Sequence, residues 1–220
     1  MKANQLKVLA GSSELKSCKK YPVESWTAFK TWANANRQPY STNELDNNIA
    51  ILTLSEDVAM KKATVCTKKA EELFSRDAQM VGWASPASVF LKVPLKLSPV
   101  VVSTSATILT REGCEDIAGA LKNAVIHVHE EELCVISDRS VELSFTDAGV
   151  PLVSKKMKIL GVLSGVCPDM NCENKIFVFT SIEPYRKFIE DITGRDGTPW
   201  FSCLSPRKTD MHRRNAHSYL

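Results

Sequence analysis

Two kinds of chemistry are within reach of the residue types in this chain, and each lacks a part. Hydrolysis by a nucleophile needs a hydroxyl or thiol beside a base. Ser144 and Ser164 supply hydroxyls, but the four histidines stand at 127, 129, 212 and 217, and none is near either serine in sequence. Zinc chemistry needs a donor cluster at short, regular spacing. His127 and His129 are two apart and share one side of a strand, and Cys167 and Cys172 would complete a set. The spacing of zinc ribbons is absent, so the pair reads as a half-exposed strand face with no metal. Between these groups runs Phe145-Thr146-Asp147-Ala148-Gly149-Val150-Pro151-Leu152-Val153. Asp147 and Gly149 are turn formers, and Pro151 opens an extended segment through Leu152 and Val153. Ala148 within it is a methyl group, with no lone pair to attack a carbonyl.

The elements that position these residues are mostly strands. Lys7 to Ala10 is a short apolar run ending at Gly11-Ser12-Ser13, a turn signal. Tyr21 to Trp32 carries Trp26, Phe29 and Trp32 at a spacing that fits neither helix nor strand, and it stays unassigned. Asn34 to Asn47 is polar and turn-rich. Asn47 to Leu54 is apolar at nearly every position, which predicts a strand buried on both sides. Lys61 to Arg76 is charged, tolerant of helix, and holds Cys66. Val89 to Val93 and Val100 to Val102 are dense in strand formers. Arg111 to Ala124, with Ile117 and Leu121, reads as a short helix containing Cys114. Leu133 to Ile136, Met157 to Ser164 and Lys175 to Ile182 follow as strands. Glu183-Pro184 then opens a helix, since proline suits the first turn. Tyr185, Phe188, Ile189 and Ile192 form one stripe along it, and Gly194 stops it. Residues 195–220 form a polar tail with Arg207, Lys208, Arg213 and Arg214, read as solvated and without a fixed fold.

With these elements in order, the chain resembles the chymotrypsin-like serine proteases. Asp147, Gly149, Pro151, Leu152 and Val153 match the nucleophile loop GDSGGPLV. Asn47-Asn48-Ile49-Ala50-Ile51-Leu52 resembles the family's N-D-I-A-L-L strand, and Gly82-Trp83-Ala84 its G-W-G strand end. The Cys114 helix and the helix from Pro184 follow in the family's order. The resemblance spans about residues 7 to 193. It implies an all-β fold of two antiparallel barrels, the first incomplete, closed by a C-terminal α-helix. The implied divisions are 1–62 for the remnant of the first barrel, 63–77 for the connection, 78–194 for the second barrel and helix, and 195–220 for the tail. It also implies a Cys114–Cys134 disulfide.

What the resemblance implies for chemistry is loss. Ala148 occupies the nucleophile's place and Asn48 that of the aspartate that orients the histidine. The histidine itself would fall before Met1. Thr146 stands where a glycine shapes the oxyanion hole, and a β-branched residue makes that backbone conformation harder to reach. In Ser-His-Asp hydrolases the aspartate-to-asparagine change alone lowers turnover about 10⁴-fold. Glu142 takes the pocket floor, and Ser164, Gly165 and Val166 match the pocket wall. A solvated loop glutamate is the plainer reading of Glu142. Asp147 finds another donor for its carboxylate or keeps its loop in a zymogen-like form. Ser144 replaces the cysteine that would bridge to Cys167. Cys172, Cys18, Cys66 and Cys203 are then open as partners for Cys167.

The totals narrow the classes. At 220 residues with 44% hydrophobic content, the chain has enough apolar residues for a core. A net charge of +3 argues for neither nucleic acid nor a membrane surface. No apolar run is long enough to span a bilayer, and Met1 to Leu15 lacks the run of a secretory signal. Seven cysteines nonetheless suit an oxidising compartment better than a reducing one. A chain truncated at its start reconciles these two observations. The expectation is therefore a non-catalytic homologue of extracellular type, without a cofactor, that binds a protein or peptide such as an active protease or its substrate. Residual hydrolase activity and an incomplete product with open strand edges are the alternatives. An activity assay tests the first of these and a cooperative melt the second.

Overall fold

A computed structural model describes residues 3–42, 46–60, 63–83, 99–120, 128–137, 148–166 and 176–194. Among these residues are ten strands and three α-helices, the strands divided between two sheets. β1 (Lys7–Ala10), β2 (Lys19–Ala28) and β3 (Ala50–Leu54) form an antiparallel sheet in that order. β5 (Asp77–Gly82), β6 (Val102–Ile108), β7 (Glu132–Ser137), β10 (Ile176–Ser181), β9 (Lys158–Val166) and β8 (Pro151–Ser154) pair in that circuit. β8 returns to β5, which closes a six-stranded antiparallel barrel. β4 (Thr64–Val65) adds in parallel to the start of β9. Closure leaves the barrel with no free edge.

Alternation along the barrel strands fills its interior. Ala78 and Met80 of β5, Ile108 of β6, and Phe177 and Phe179 of β10 meet in one buried cluster. The reverse face of β10 is covered as well. Ile176 packs with Cys114, Cys134 and Ala118 beneath α2 (Arg111–Ala120). Close approach at the β9–β10 seam requires Gly161. A Cβ there would lie 2.9 Å from the Thr180 carbonyl oxygen, a backbone atom that cannot swing away. Gly161→Ala is expected to destabilise the protein by about 1–3 kcal/mol, the usual cost of overpacking, measured as a lower urea midpoint with an unchanged slope.

The unassigned Tyr21 to Trp32 run proves to be two elements. β2 carries a bulge between Val23 and Ser25, and at Phe29 the chain turns directly into α1 (Phe29–Ala35). Two periods and a bulge within twelve residues leave no single spacing to detect. α1 stops where Arg37 takes a φ of +53° and the Gln38 N–H returns to Ala33 O at 2.8 Å. Phe29, Trp32 and Ala33 then meet Tyr185 and Phe188 of the C-terminal helical segment. That segment opens with a single tight turn at Glu183–Tyr185 and continues as α3 (Arg186–Thr193), ending at Gly194 with φ +78°. This aromatic cluster joins the sheet to the barrel.

Two expectations need correction. β3 is not buried on both sides: Ala50 and Leu52 are exposed, Leu52 by 44%. One face packs through Ile51 on the aromatic cluster, while β3 is a sheet edge with no strand beyond it among the described residues. Of the charged stretch from 61 to 76, residues 63–76 are described, and they hold no α-helix: only the two-residue strand Thr64–Val65 and one 3-10 turn at Ala70–Glu72 are regular. Val89 to Val93 and the tail lie outside the described residues. The Cys114–Cys134 disulfide is present. Cys18 is a free thiol, its Sγ donating to the carbonyls of Ser12 and Glu14. Cys66 is disulfide-bonded.

Candidate functional site

The loop that ought to carry chemistry enters the described residues at Ala148. Thr146, Asp147 and Glu142 lie outside them. Ala148 is exposed, and Gly149 takes a φ of +91°, a region that favours glycine. The Gly149 N–H donates to Leu163 O at 2.8 Å, and the Leu163 N–H to Val150 O at 2.9 Å. The turn is thereby held flush against β9. Val150 presses on Gly82, where a Cβ would come within 2.8 Å of Val150 Cγ2. The glycine of the Gly82-Trp83-Ala84 run thus makes room for the turn.

Ser164 follows at a bulge in β9 opposite Val178 and Phe179. A bulge re-aims the residue it inserts. The Ser164 hydroxyl is half-buried and donates to Val178 O at 3.0 Å. Its proton is committed to a carbonyl, not to a base. Gly165 stands opposite Val178, and Val166 opposite Phe177.

Asn48 arrives from the other sheet. Its backbone carbonyl accepts the Thr180 hydroxyl at 3.3 Å. Thr180 opposes Val162, which opposes Pro151 at the foot of the Ala148 turn. Two strand steps of roughly 4.8 Å place β10 and β8 about 10 Å apart. Asn48, Ser164 and the Ala148 turn therefore gather on one stretch of β8, β9 and β10. What the structure shows there is a methyl, the Asn48 backbone carbonyl and a hydroxyl already spent on the backbone.

A second polar cluster lies at the seam between sheet and barrel and lines a cleft of about 430 Å³. Asp46 accepts the Ser41 hydroxyl at 2.6 Å on one oxygen and faces His129 Nε2 at 3.3 Å on the other. The residue types are those of a hydrolytic triad, but the order is wrong. A triad places the imidazole between hydroxyl and carboxylate, so that it can take the hydroxyl proton. Here the carboxylate is in the middle, and neither Ala148 nor Ser164 lines this cleft. His129 also falls in the turn before β7 rather than on a strand face, which corrects the expectation for it; His127 lies outside the described residues. Among the described residues no group of three or more histidine, cysteine or carboxylate side chains is placed to hold a metal ion.

Beside Asp46, Asn47 Nδ2 donates to Glu131 Oε2 at 2.8 Å and to the Tyr185 hydroxyl at 2.9 Å. Tyr185 in turn donates to Glu131 Oε2 at 2.6 Å. Burial, then the bond to the Glu131 carboxylate, pushes the Tyr185 phenol far above its ordinary 10.0. Burial also raises the Glu132 carboxyl, although the His129 N–H donates to it. The sign for Tyr185 is fixed by its raised value. The folded state holds the phenolic proton more tightly, so this contribution is whole below pH 10.0 and is lost as pH rises above it. Stability is expected to fall more steeply above pH 10.0 in the wild type than in Tyr185→Phe, read from urea unfolding on each side of that pH. Sequence reasoning passed over this cluster because its members are 84 and 138 residues apart. Its one local signal is the run Glu130-Glu131-Glu132 directly after His129.

Comparison with known proteins adds a lineage to this geometry. A family model described as Trypsin matches residues 6–189. Among solved structures, the fold is similar to the inactivated protease paralogue S-D1 of the scabies mite, with TM-score 0.64 and 18% identity, covering 87% of this chain and 77% of that one. It is also similar to neuropsin, a serine protease expressed in the limbic system of mouse brain, with TM-score 0.61 and 18% identity, covering 86% of this chain and 79% of that one. No curated protein sequence matches.

Proposed function

The chain belongs to the trypsin family, and from that premise we propose that it is a non-catalytic homologue that binds polypeptide without cutting it. The observation that carries the reading is the Ala148 turn. It is held against β9 as a working nucleophile loop would need, yet it presents a methyl group. Asn48 supports it, because a neutral carboxamide cannot stabilise an imidazolium. The Ser164 bond to Val178 O supports it further, since a hydroxyl without a base is not activated. Ser164, Gly165 and Val166 lie on β9, and the resemblance makes them the wall, and Glu142 the floor, of a side-chain pocket. The partner is a protein or peptide, an active protease or its substrate, for which this chain acts as cofactor or decoy. An extracellular setting follows from the family and from the Cys114–Cys134 bridge, which persists where the medium is oxidising. No helix among the described residues is long and apolar enough to cross a membrane.

Purified protein is expected to show no turnover of peptide esters and no labelling by a serine-directed fluorophosphonate. Ala148→Ser is expected to stay at the same background, because His129 faces Asp46 in a cleft that residue 148 does not line and cannot take the restored hydroxyl's proton. Covalent labelling of any serine in the unmodified chain would reject the proposal.

A further inference from the structure

The β3 edge of the three-stranded sheet, unpaired among the described residues, has the chemistry of an interface. The Phe29 N–H donates to Ile49 O, and the Ser55 N–H to Pro22 O. Odd-numbered residues of β3 therefore turn their backbone groups to β2. By antiparallel alternation, Ala50, Leu52 and Leu54 turn theirs to the outer edge. Exposed edges are normally blunted by lysine, proline or a bulge. Ala50-Ile51-Leu52-Thr53-Leu54 has neither residue, and the bulge in this pair sits on β2. The opposite edge differs: β1 begins with Lys7, and Lys19 and Lys20 lie beside it on β2.

Side chains at the β3 edge match its backbone. Leu52 is the cross-strand partner of Trp26, and the two are 44% and 46% exposed. Leu52, Trp26 and Leu54 share one sheet face by register, so an apolar stripe runs out to the open edge.

We propose that two copies of this chain pair β3 against β3, antiparallel, about a two-fold axis at Leu52. A two-fold interface is self-complementary, and residues near the axis meet their own kind. Any charge there would repel itself, and residues 50–54 carry none. In that register Ala50 opposes Leu54 of the second copy, Ile51 opposes Thr53, and Leu52 opposes Leu52. The nearest charged residue, Glu56, falls opposite Asn48, a neutral side chain with two N–H donors. Glu56 also keeps its own Lys19 at 2.8 Å. The two three-stranded sheets become one six-stranded sheet, and the stripe runs unbroken from Trp26 through both leucines to the second Trp26.

Sedimentation velocity and light scattering on the 220-residue chain over a wide concentration range test this. A dimer is expected. Leu52→Lys, at an exposed position, is expected to keep the far-ultraviolet spectrum and to raise the dissociation constant by roughly 100-fold, because it sets like charges across the axis. Amide exchange on the unmodified protein is expected to show Ala50, Leu52 and Leu54 protected only in the dimer. A monomer whose three amides exchange freely overturns the proposal. A monomer with those amides protected also overturns it, since another segment of the chain then covers the edge. A dimer indifferent to Leu52→Lys places the interface elsewhere and overturns it equally.

Discussion

Phe188→Ala is expected to lower the unfolding free energy by about 3–5 kcal/mol, the range for removing a core phenylalanine. Phe188 is fully buried and packs α3 onto α1. Its ring meets Phe29 edge-on, with centroids 5.6 Å apart and planes at 82°, and meets Trp32 at 5.5 Å. Phe29 in turn meets Tyr185 edge-on at 4.7 Å. Each such pair is worth about 0.5–1.5 kcal/mol beyond its buried area. The position matters as much as the size. A sheet of three strands needs a packed apolar face or a helix to be stable, and α1 with α3 supplies that packing. The loss is expected to appear first as faster amide exchange in α1 and β3, with the barrel amides still protected. Urea unfolding followed by tryptophan fluorescence gives the total, and a change below about 1 kcal/mol, the level of a typical surface substitution, would count against the seam as the joint.

How much of this was legible in the sequence depended on distance along the chain. Strand alternation in β10 and the Tyr185, Phe188, Ile189, Ile192 stripe are local patterns, and the structure realises both. The Ala148 turn was legible because Gly149 and Pro151 constrain the backbone by themselves. The resemblance carried Cys114 to Cys134, which no spacing rule selects among seven cysteines. β3 was misjudged because apolar composition reports what a strand can bury, not whether a neighbour exists to bury it. Leu52 and Ile51 are equally apolar in sequence; only the presence of α1 and α3 on one side separates them. Ser41 and Asp46 were missed, and His129 was weighed only beside His127 as a zinc donor, for the opposite reason. Each is unremarkable alone, and the fold brings them together across 88 positions, from 41 to 129.

The disulfide gives the second large effect. Cys114 on α2 and Cys134 on β7 close a loop with a sequence separation of 20 and are both buried. The loop-entropy argument assigns such a closure about 3 kcal/mol. For a chain of this size that corresponds to a fall in Tm of roughly 6–12 °C, at 2–4 °C per kcal/mol. α2 is a weak helix by its own sequence. Its sequence Arg-Glu-Gly-Cys-Glu-Asp-Ile-Ala-Gly-Ala contains two glycines, each costing about 1 kcal/mol against alanine in a helix interior. The Thr110 hydroxyl does accept the Gly113 N–H at 3.1 Å, which steadies the first turn. Ala118 and Ile117 then pack on the bridge together with Ile176 of β10. Cys114→Ala with Cys134→Ala is the cleaner variant, because a serine pair would bury two hydroxyls at about 1–3 kcal/mol each if unpaired. The expected result is a lower Tm, with amide exchange accelerated across Arg111–Ala120 and unchanged in β5 and β8. Equal exchange in α2 with and without the bridge would show that packing on Ile176 alone holds the helix, and that the sulfurs add no constraint of their own.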